Sequence, residues 1–199
     1  MSEAEVLIID SGGANLASLR YALDRLGARS LVSANRAQVG AARRVMLPGV
    51  GAAGDAMARL HAAGLVECIR NLRQPLLGVC LGMQLLFAHS EEGDIAGLGL
   101  LAGTVSRMPS AAGWPVPHMG WNTCQILRDS PLLAGLSPED HFYFAHSYAA
   151  PVGEHTCAAT TYSHPMSAVV QRGNFHGVQF HPERSAAPGA RLLRNFLDL

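Results

Sequence analysis

The run EVLIID (5–10) is apolar without interruption until Asp10, as a strand buried on both faces requires. After the glycine-containing SGGAN, the segment LASLRYALDRLG sets Leu16, Leu19, Leu23 and Leu26 at helical spacing, and Gly27 ends the pattern. ARSLVSA (28–34) and RRVMLPG (43–49) predict two further short strands, with a polar turn and a short helix between them. A helix is expected from about Asp55 to Leu72. LLGVC (76–80) is another buried strand, followed at once by LGMQLLFAHS, where the next helix is expected to begin.

Strands that alternate with helices over the first ninety residues predict βαβ units, hence a mostly parallel central sheet with helices on both faces. The second half changes character. Turn residues come close together, and LLAGTVSRM, TCQIL, HFYFAHSYA, TCAATTY, SAVVQ and FHGVQF all favour strands, which predicts a mixed or antiparallel extension. ARLLRNFLDL closes the chain as a helix. Neither a repeat nor a linker interrupts the 199 residues, so a single α/β domain over 1–199 is expected.

Composition narrows the function classes. Lys plus Arg and Asp plus Glu number 15 each, so no general field draws the chain to nucleic acid or to an anionic membrane. MSEAEVLIID lacks both the basic start of a signal peptide and the length of a spanning helix, and a cytoplasmic protein is expected. The four cysteines, Cys68, Cys80, Cys124 and Cys157, form no C-x-x-C pair, so neither a metal site nor a disulfide framework is indicated. No cofactor is indicated either.

One cysteine stands apart. Gly78-Val79-Cys80-Leu81-Gly82 has the form of a G-x-S-x-G nucleophile elbow with sulfur in place of oxygen, at the strand-to-helix junction such an elbow needs. Small neighbours let the chain turn sharply, and the N–H groups at a helix start favour the thiolate. The alternative is an inert buried thiol with glycines for close packing, the reading that fits Cys68, Cys124 and Cys157. A nucleophilic thiol needs a base and the base an orienting group. VQFHPERS supplies both, because His181 and Glu183 lie on one side of an extended chain with Pro182 stiffening the turn; a helix-start ion pair is the alternative. His61, His89, His155 and His164 have no such partner in their local sequence. An oxyanion hole could draw on Leu81 N–H and on Pro48-Gly49-Val50-Gly51, a segment that is otherwise a plain turn.

The elbow followed by Gln84, together with H-P-E, resembles the class I (triad) glutamine amidotransferases. The order LPGVGAAGDAM, LLGVCLGMQLLF, GLGLLAGTVSRM, PHMGWN, YFAHSY, GVQFHPERS covers nearly the whole chain and is similar to the glutaminase subunits of imidazole glycerol phosphate synthases, of histidine biosynthesis. PHMGWN and YF-x-HSY are the most specific elements. The resemblance implies a flavodoxin-like domain in which Cys80 attacks the glutamine amide, His181 moves the proton and Glu183 orients the histidine. It implies an oxyanion hole from Gly49, Val50 and Leu81, with a backbone flip near Gly49 and Val50 completing it, and glutamine contacts from Gly51, Gln84, Glu92, Ser147 and Tyr148. For Glu92, in the polar loop HSEEGD, simple solvation is the alternative. It further implies a (β/α)8-barrel cyclase partner that receives the ammonia, with Asn15, Met119, Trp121 and Asn122 on the interface side; for Trp121 a core position is the alternative.

The chain departs from that family at two places. DSGGANL carries Ser11 and Ala14 where an aromatic residue and a glycine are usual, and HPERS has Arg184 where lysine is commoner, which keeps the charge but changes the donor geometry. Competing readings are a glutaminase serving another acceptor, a γ-glutamyl hydrolase, or a flavodoxin-like module that has lost the reaction. PHMGWN speaks against the first two and the complete Cys80, His181 and Glu183 set against the third.

Overall fold

In the computed structural model, which describes residues 5–10, 16–49, 51–110 and 112–199, the predicted alternation is realised from the first strand. The elements run β1 (Val6–Ile9), α1 (Leu16–Arg25), β2 (Ser30–Ser33), α2 (Arg36–Ala41), β3 (Val45–Gly49), α3 (Ala53–Ala62), α4 (Leu65–Arg70), β4 (Leu76–Cys80) and α5 (Leu81–Gln84). There follow β5 (Phe87–Ser90), β6 (Ile95–Ala96), β7 (Leu101–Arg107), β8 (His118–Thr123), β9 (Gln125–Ile126), β10 (His141–His146) and β11 (Tyr148–Ala149). The chain ends with β12 (Thr156–Tyr162), β13 (His164–Arg172), β14 (Phe175–Val178) and α6 (Ala186–Leu197), with 3-10 turns at Pro131–Leu133 and Pro182–Arg184.

The main sheet has eight strands in the order β2-β1-β3-β4-β14-β13-β12-β9. The first five are parallel and the last three antiparallel, which is the mixed extension expected of the second half. Strand β1 explains why its sequence has no polar position: Val6 and Ile8 enter the core layer beneath α1 and α6, and Leu7 and Ile9 enter the layer beneath α2, α3 and α4. A four-stranded sheet, β11-β7-β5-β6, and a two-stranded ribbon, β10-β8, flank this frame. The ribbon strand β8 lies outside the segments that the sequence marked as strands, and TCQIL contributes only the two residues of β9.

Two expected helices differ from the structure. The run from Asp55 to Leu72 is two helices, because Gly64 takes a left-handed conformation with φ +64° and its N–H closes on His61 O. The helix after Cys80 is a single turn. The carbonyls of Leu85 and Leu86 are taken by the N–H groups of Leu98, Leu100 and Leu101, and Phe87 then joins β7, so tertiary pairing overrides the helical spacing of LGMQLLFAHS. No helix among the described residues is long and apolar enough to cross a membrane.

Candidate active site

Strands β3, β4 and β14 are neighbours and parallel, so their C-terminal ends open on the same edge of the sheet, where ligands of open α/β folds bind. Cys80 is the last residue of β4, Gly49 stands opposite it at the end of β3, and the chain leaving β14 leads to His181.

Cys80 adopts φ 54°, ψ −113°, a conformation that strains any residue with a Cβ and that the surroundings must hold in place. The glycines around it answer to space. A Cβ on Gly78 would sit 2.6 Å from Gly82 O, one on Gly82 would collide with Leu47 O, and one on Gly49 would collide with Gly82 N. The elbow is thus pressed against β3, and side chains at these three positions would force the strands apart. The single-turn length of α5 leaves the sulfur with less helix dipole than a long helix would give.

His181 and Glu183 meet, though by a turn where an extended chain was expected: His181 is extended at φ −96°, ψ 98°, and Pro182–Arg184 is a 3-10 turn. His181 Nδ1 lies 2.9 Å from Glu183 Oε1, with side chains 9% and 2% exposed. Burial opposes the charged imidazolium, but its hydrogen bonds to Cys80 and Glu183 and the charges on both outweigh that and raise the His181 pKa to about 10. With Nδ1 committed to Glu183, Nε2 is the nitrogen left for the sulfur. The backbone holds this pair in place too, since His181 N–H donates to Tyr143 O at 2.8 Å and the Ser185 hydroxyl to His181 O at 2.6 Å.

The sulfur opens on a cleft of about 320 Å³, within the roughly 300–1,000 Å³ usual for small-molecule sites. Gly49, Gly51, Leu81, Gln84, Glu92, Ser147, Tyr148 and Met119 line it together with Cys80 and His181. Glu92 is more than a solvated loop residue: its carboxylate accepts from Ala53 N at 3.0 Å, capping α3, whose own N-cap residue, Ala52, has no side chain to do so. Gln84 is buried, and its amide donates to Tyr148 O at 2.7 Å and to Gln179 Oε1 at 2.9 Å.

Met119 and Trp121, alternate residues of β8, are exposed by 63% and 54%, so Trp121 is not core. Asn122 faces the other way and donates to Thr161 O at 3.0 Å. Asn15, Val50, Ser11 and Ala14 lie outside the described residues. Among the described residues no cluster of three His, Cys, Asp or Glu side chains could hold a metal ion.

Two polar residues at the site, Gln179 and His146, escaped the reading of the sequence, and a third, His118, which the PHMGWN motif set on the interface side, is instead buried. Gln179 is fully buried beside Cys80; it stands two residues before His181, and same-side alternation was the signal that could have found it. His146 lines the cleft and bonds Tyr148 O at 2.8 Å through Nδ1, while its Nε2 meets His118 Nδ1 at 3.1 Å. Burial lowers the pKa of His118 to about 4 and that of His146 to about 3, so both rings are neutral near pH 7. His118 is sandwiched between Phe144 and Tyr162, contacts no local pattern announces.

A nucleophile elbow, a buried histidine–carboxylate pair and a mixed sheet of this order define a class, and the chain belongs to it: residues 7–199 match the family model for class I glutamine amidotransferases. A solved glutamine amidotransferase shares the fold with a TM-score of 0.76 at 20% identity, covering 98% of this chain and 97% of the other. PurLQS from Thermotoga maritima superposes with a TM-score of 0.72 at 17% identity, covering 98% and 99%. Within the class the chain is far closer to imidazole glycerol phosphate synthase subunit HisH of Xanthomonas axonopodis pv. citri, 57% identical over 195 residues and 98% of both chains. It is accordingly a member of the HisH family, the glutaminase subunits of imidazole glycerol phosphate synthase in histidine biosynthesis.

Proposed function

We propose that the cleft hydrolyses glutamine through a Cys80–His181–Glu183 triad and passes the ammonia to a cyclase subunit. The observation that carries this reading is the meeting, in one cleft, of a cysteine on a strained elbow with a histidine locked to a buried carboxylate. With the pKa of His181 raised to about 10, the proton of the pair rests on the imidazole, and the Cys80 thiolate attacks the side-chain amide carbon of glutamine. His181 returns the proton to the departing nitrogen as the C–N bond breaks, giving ammonia and a γ-glutamyl thioester. Water, deprotonated by His181, then adds to the thioester, and glutamate leaves as the sulfur recovers its proton. Leu81 N–H and the Gly49-Val50-Gly51 segment would stabilise the oxyanion, one such donor being worth about 10²–10³ in rate. Gln84, Glu92, Ser147 and Tyr148 would hold the glutamine.

Met119 and Trp121 offer the partner an exposed apolar and aromatic surface beside the mouth of the cleft, the residue types that anchor interfaces. A (β/α)8-barrel cyclase seated there would receive the ammonia and join it to its ribonucleotide intermediate. The test is glutamate release by the purified chain, alone and with a barrel cyclase and its nucleotide ligand, with Cys80→Ala as the control. A low basal rate, raised by orders of magnitude in the complex and abolished in the control, is expected. Rapid hydrolysis without the partner would point to a free-standing glutaminase, and silence in every mixture would remove the catalytic reading.

A further inference from the structure

We propose that Gln179 is a further catalytic residue, whose buried side-chain amide donates a hydrogen bond to Cys80 Sγ and stabilises the thiolate. The inference rests on the reading of Cys80 as the nucleophile. Gln179 has no exposed surface, and a buried primary amide must place both its donor and its acceptor. Its orientation follows from its neighbours. Gln84 Nε2 faces Tyr148 O at 2.7 Å, a carbonyl that only accepts, so the same NH2 group is the donor that meets Gln179 Oε1 at 2.9 Å. Gln179 Nε2 is therefore the atom turned to Sγ, at 3.8 Å. The backbone holds the residue too, through Gln179 N–H to Ala168 O at 2.9 Å.

The other contact of the sulfur shows why this donor matters to the reaction. As a thiol, Cys80 donates to Ala145 O, also at 3.8 Å. With the proton on His181, that contact sets a carbonyl oxygen against a negative sulfur, and the Gln179 N–H makes a charge-assisted bond, stronger than a neutral one. The amide thus favours the thiolate over the thiol and raises the share of Cys80 in its reactive form. The same row of amides ties the sulfur, through Gln84, to the Tyr148 carbonyl on the wall of the cleft.

The test is the pH dependence of iodoacetamide alkylation of Cys80, followed by peptide mass spectrometry in wild-type protein, Gln179→Met and Gln84→Met, with Cys68 in the same samples as an internal reference. Methionine keeps the length and bulk of the side chain and removes the N–H donors. Gln179→Met should slow Cys80 alkylation about tenfold at pH 7 and displace its pH profile to the alkaline side, leaving Cys68 unchanged. Gln84→Met, which keeps Gln179 but frees its carbonyl end, should slow Cys80 at least threefold, and it decides the matter if Gln179→Met fails to fold. Slowing of less than threefold in the folded variant, with the profile unmoved, would overturn the role of Gln179. If wild-type Cys80 reacts no faster than Cys68, the failure lies in the reading of Cys80 as nucleophile, and this inference falls with it.

Discussion

Replacing Glu183 by glutamine changes two atoms and removes one charge, and the structure says where the effect must appear. Glu183 Oε1 accepts from His181 Nδ1 at 2.9 Å with its side chain 2% exposed, so this carboxylate sits out of water. A carboxylate only accepts, which keeps the proton on Nδ1 and turns Nε2 to the sulfur. An amide can present its NH2 instead, shifting the proton to Nε2, the wrong nitrogen for taking a proton from a thiol. Loss of the charge-assisted bond is worth about 1.5–3 kcal/mol, or about ten- to 150-fold in rate at about 1.4 kcal/mol per decade. The tautomer error adds to this, and in triads of this kind the orienting carboxylate is worth up to about 10⁴ in kcat. Glu183→Gln should therefore lower kcat for glutamate release by about 10²–10⁴. KM should change little, because Glu183 does not line the cleft. Stability carries a second signature. With His181 raised from 6.5 to about 10, the native state binds more protons than the unfolded chain between those values, so this residue's stabilisation is full below pH 6.5 and is lost as pH rises toward 10. Glu183→Gln should flatten that slope. Glutamate release in the complex and urea melts from pH 6 to 10 measure both effects. A folded variant within fivefold of wild-type kcat would refute the reasoning.

Gly82→Ala should cost about 1–3 kcal/mol, the usual penalty of overpacking, and reduce activity, because the new methyl meets the Leu47 carbonyl on β3. Gly40→Ala, inside α2 with nothing within 4 Å, should leave activity unchanged and raise stability slightly, by about 0.4–1 kcal/mol; thermal melts of the pair that do not differ would count against the close approach of elbow and strand. In acid the buried neutral histidines govern. His118 and His176 titrate at about 4 and His146 at about 3, against about 6.5 when unfolded, so the unfolded chain binds more protons and stability falls as pH drops from 6.5 toward 4. Urea melts between pH 4.5 and 7.5 should show that decline, and a flat profile would mean that these rings are not held neutral.

The parallel half of the sheet was legible because strands such as β1 are buried on both faces and their sequence is apolar at every position. What escaped depended on long-range partners. Helical spacing runs on through HAAGLVE, so the left-handed turn at Gly64 leaves no trace in the periodicity. The capture of the Leu85 and Leu86 carbonyls by residues a dozen or more positions ahead is equally silent. At the site, Cys80, His181 and Glu183 were readable because an elbow and an H-P-E turn each carry their chemistry within a few residues. Ser147 and Tyr148 came only from resemblance to a family. Gln179 was hidden by its setting in an apolar strand end, and the His118–His146 pair by its dependence on ring partners at Phe144 and Tyr162.

The β8-β10 ribbon joins what local motifs leave separate. Trp121 pairs in register with Tyr143, and Met119 with Ala145. Those two residues of β10 accept from the proposed base and nucleophile, Tyr143 O from His181 N–H and Ala145 O from the Cys80 thiol. The exposed side chains of β8 are therefore one hydrogen-bonded rung from Cys80 and His181, through backbone atoms that no side-chain substitution removes. His118 ties the ribbon a second time, through His146 to the Tyr148 carbonyl that also receives the Gln84 amide. A partner docked as proposed on Met119 and Trp121 would press on a ribbon whose carbonyls bond Cys80 and His181. Its influence is best sought in the backbone positions of Tyr143 and Ala145, before any rearrangement of catalytic side chains.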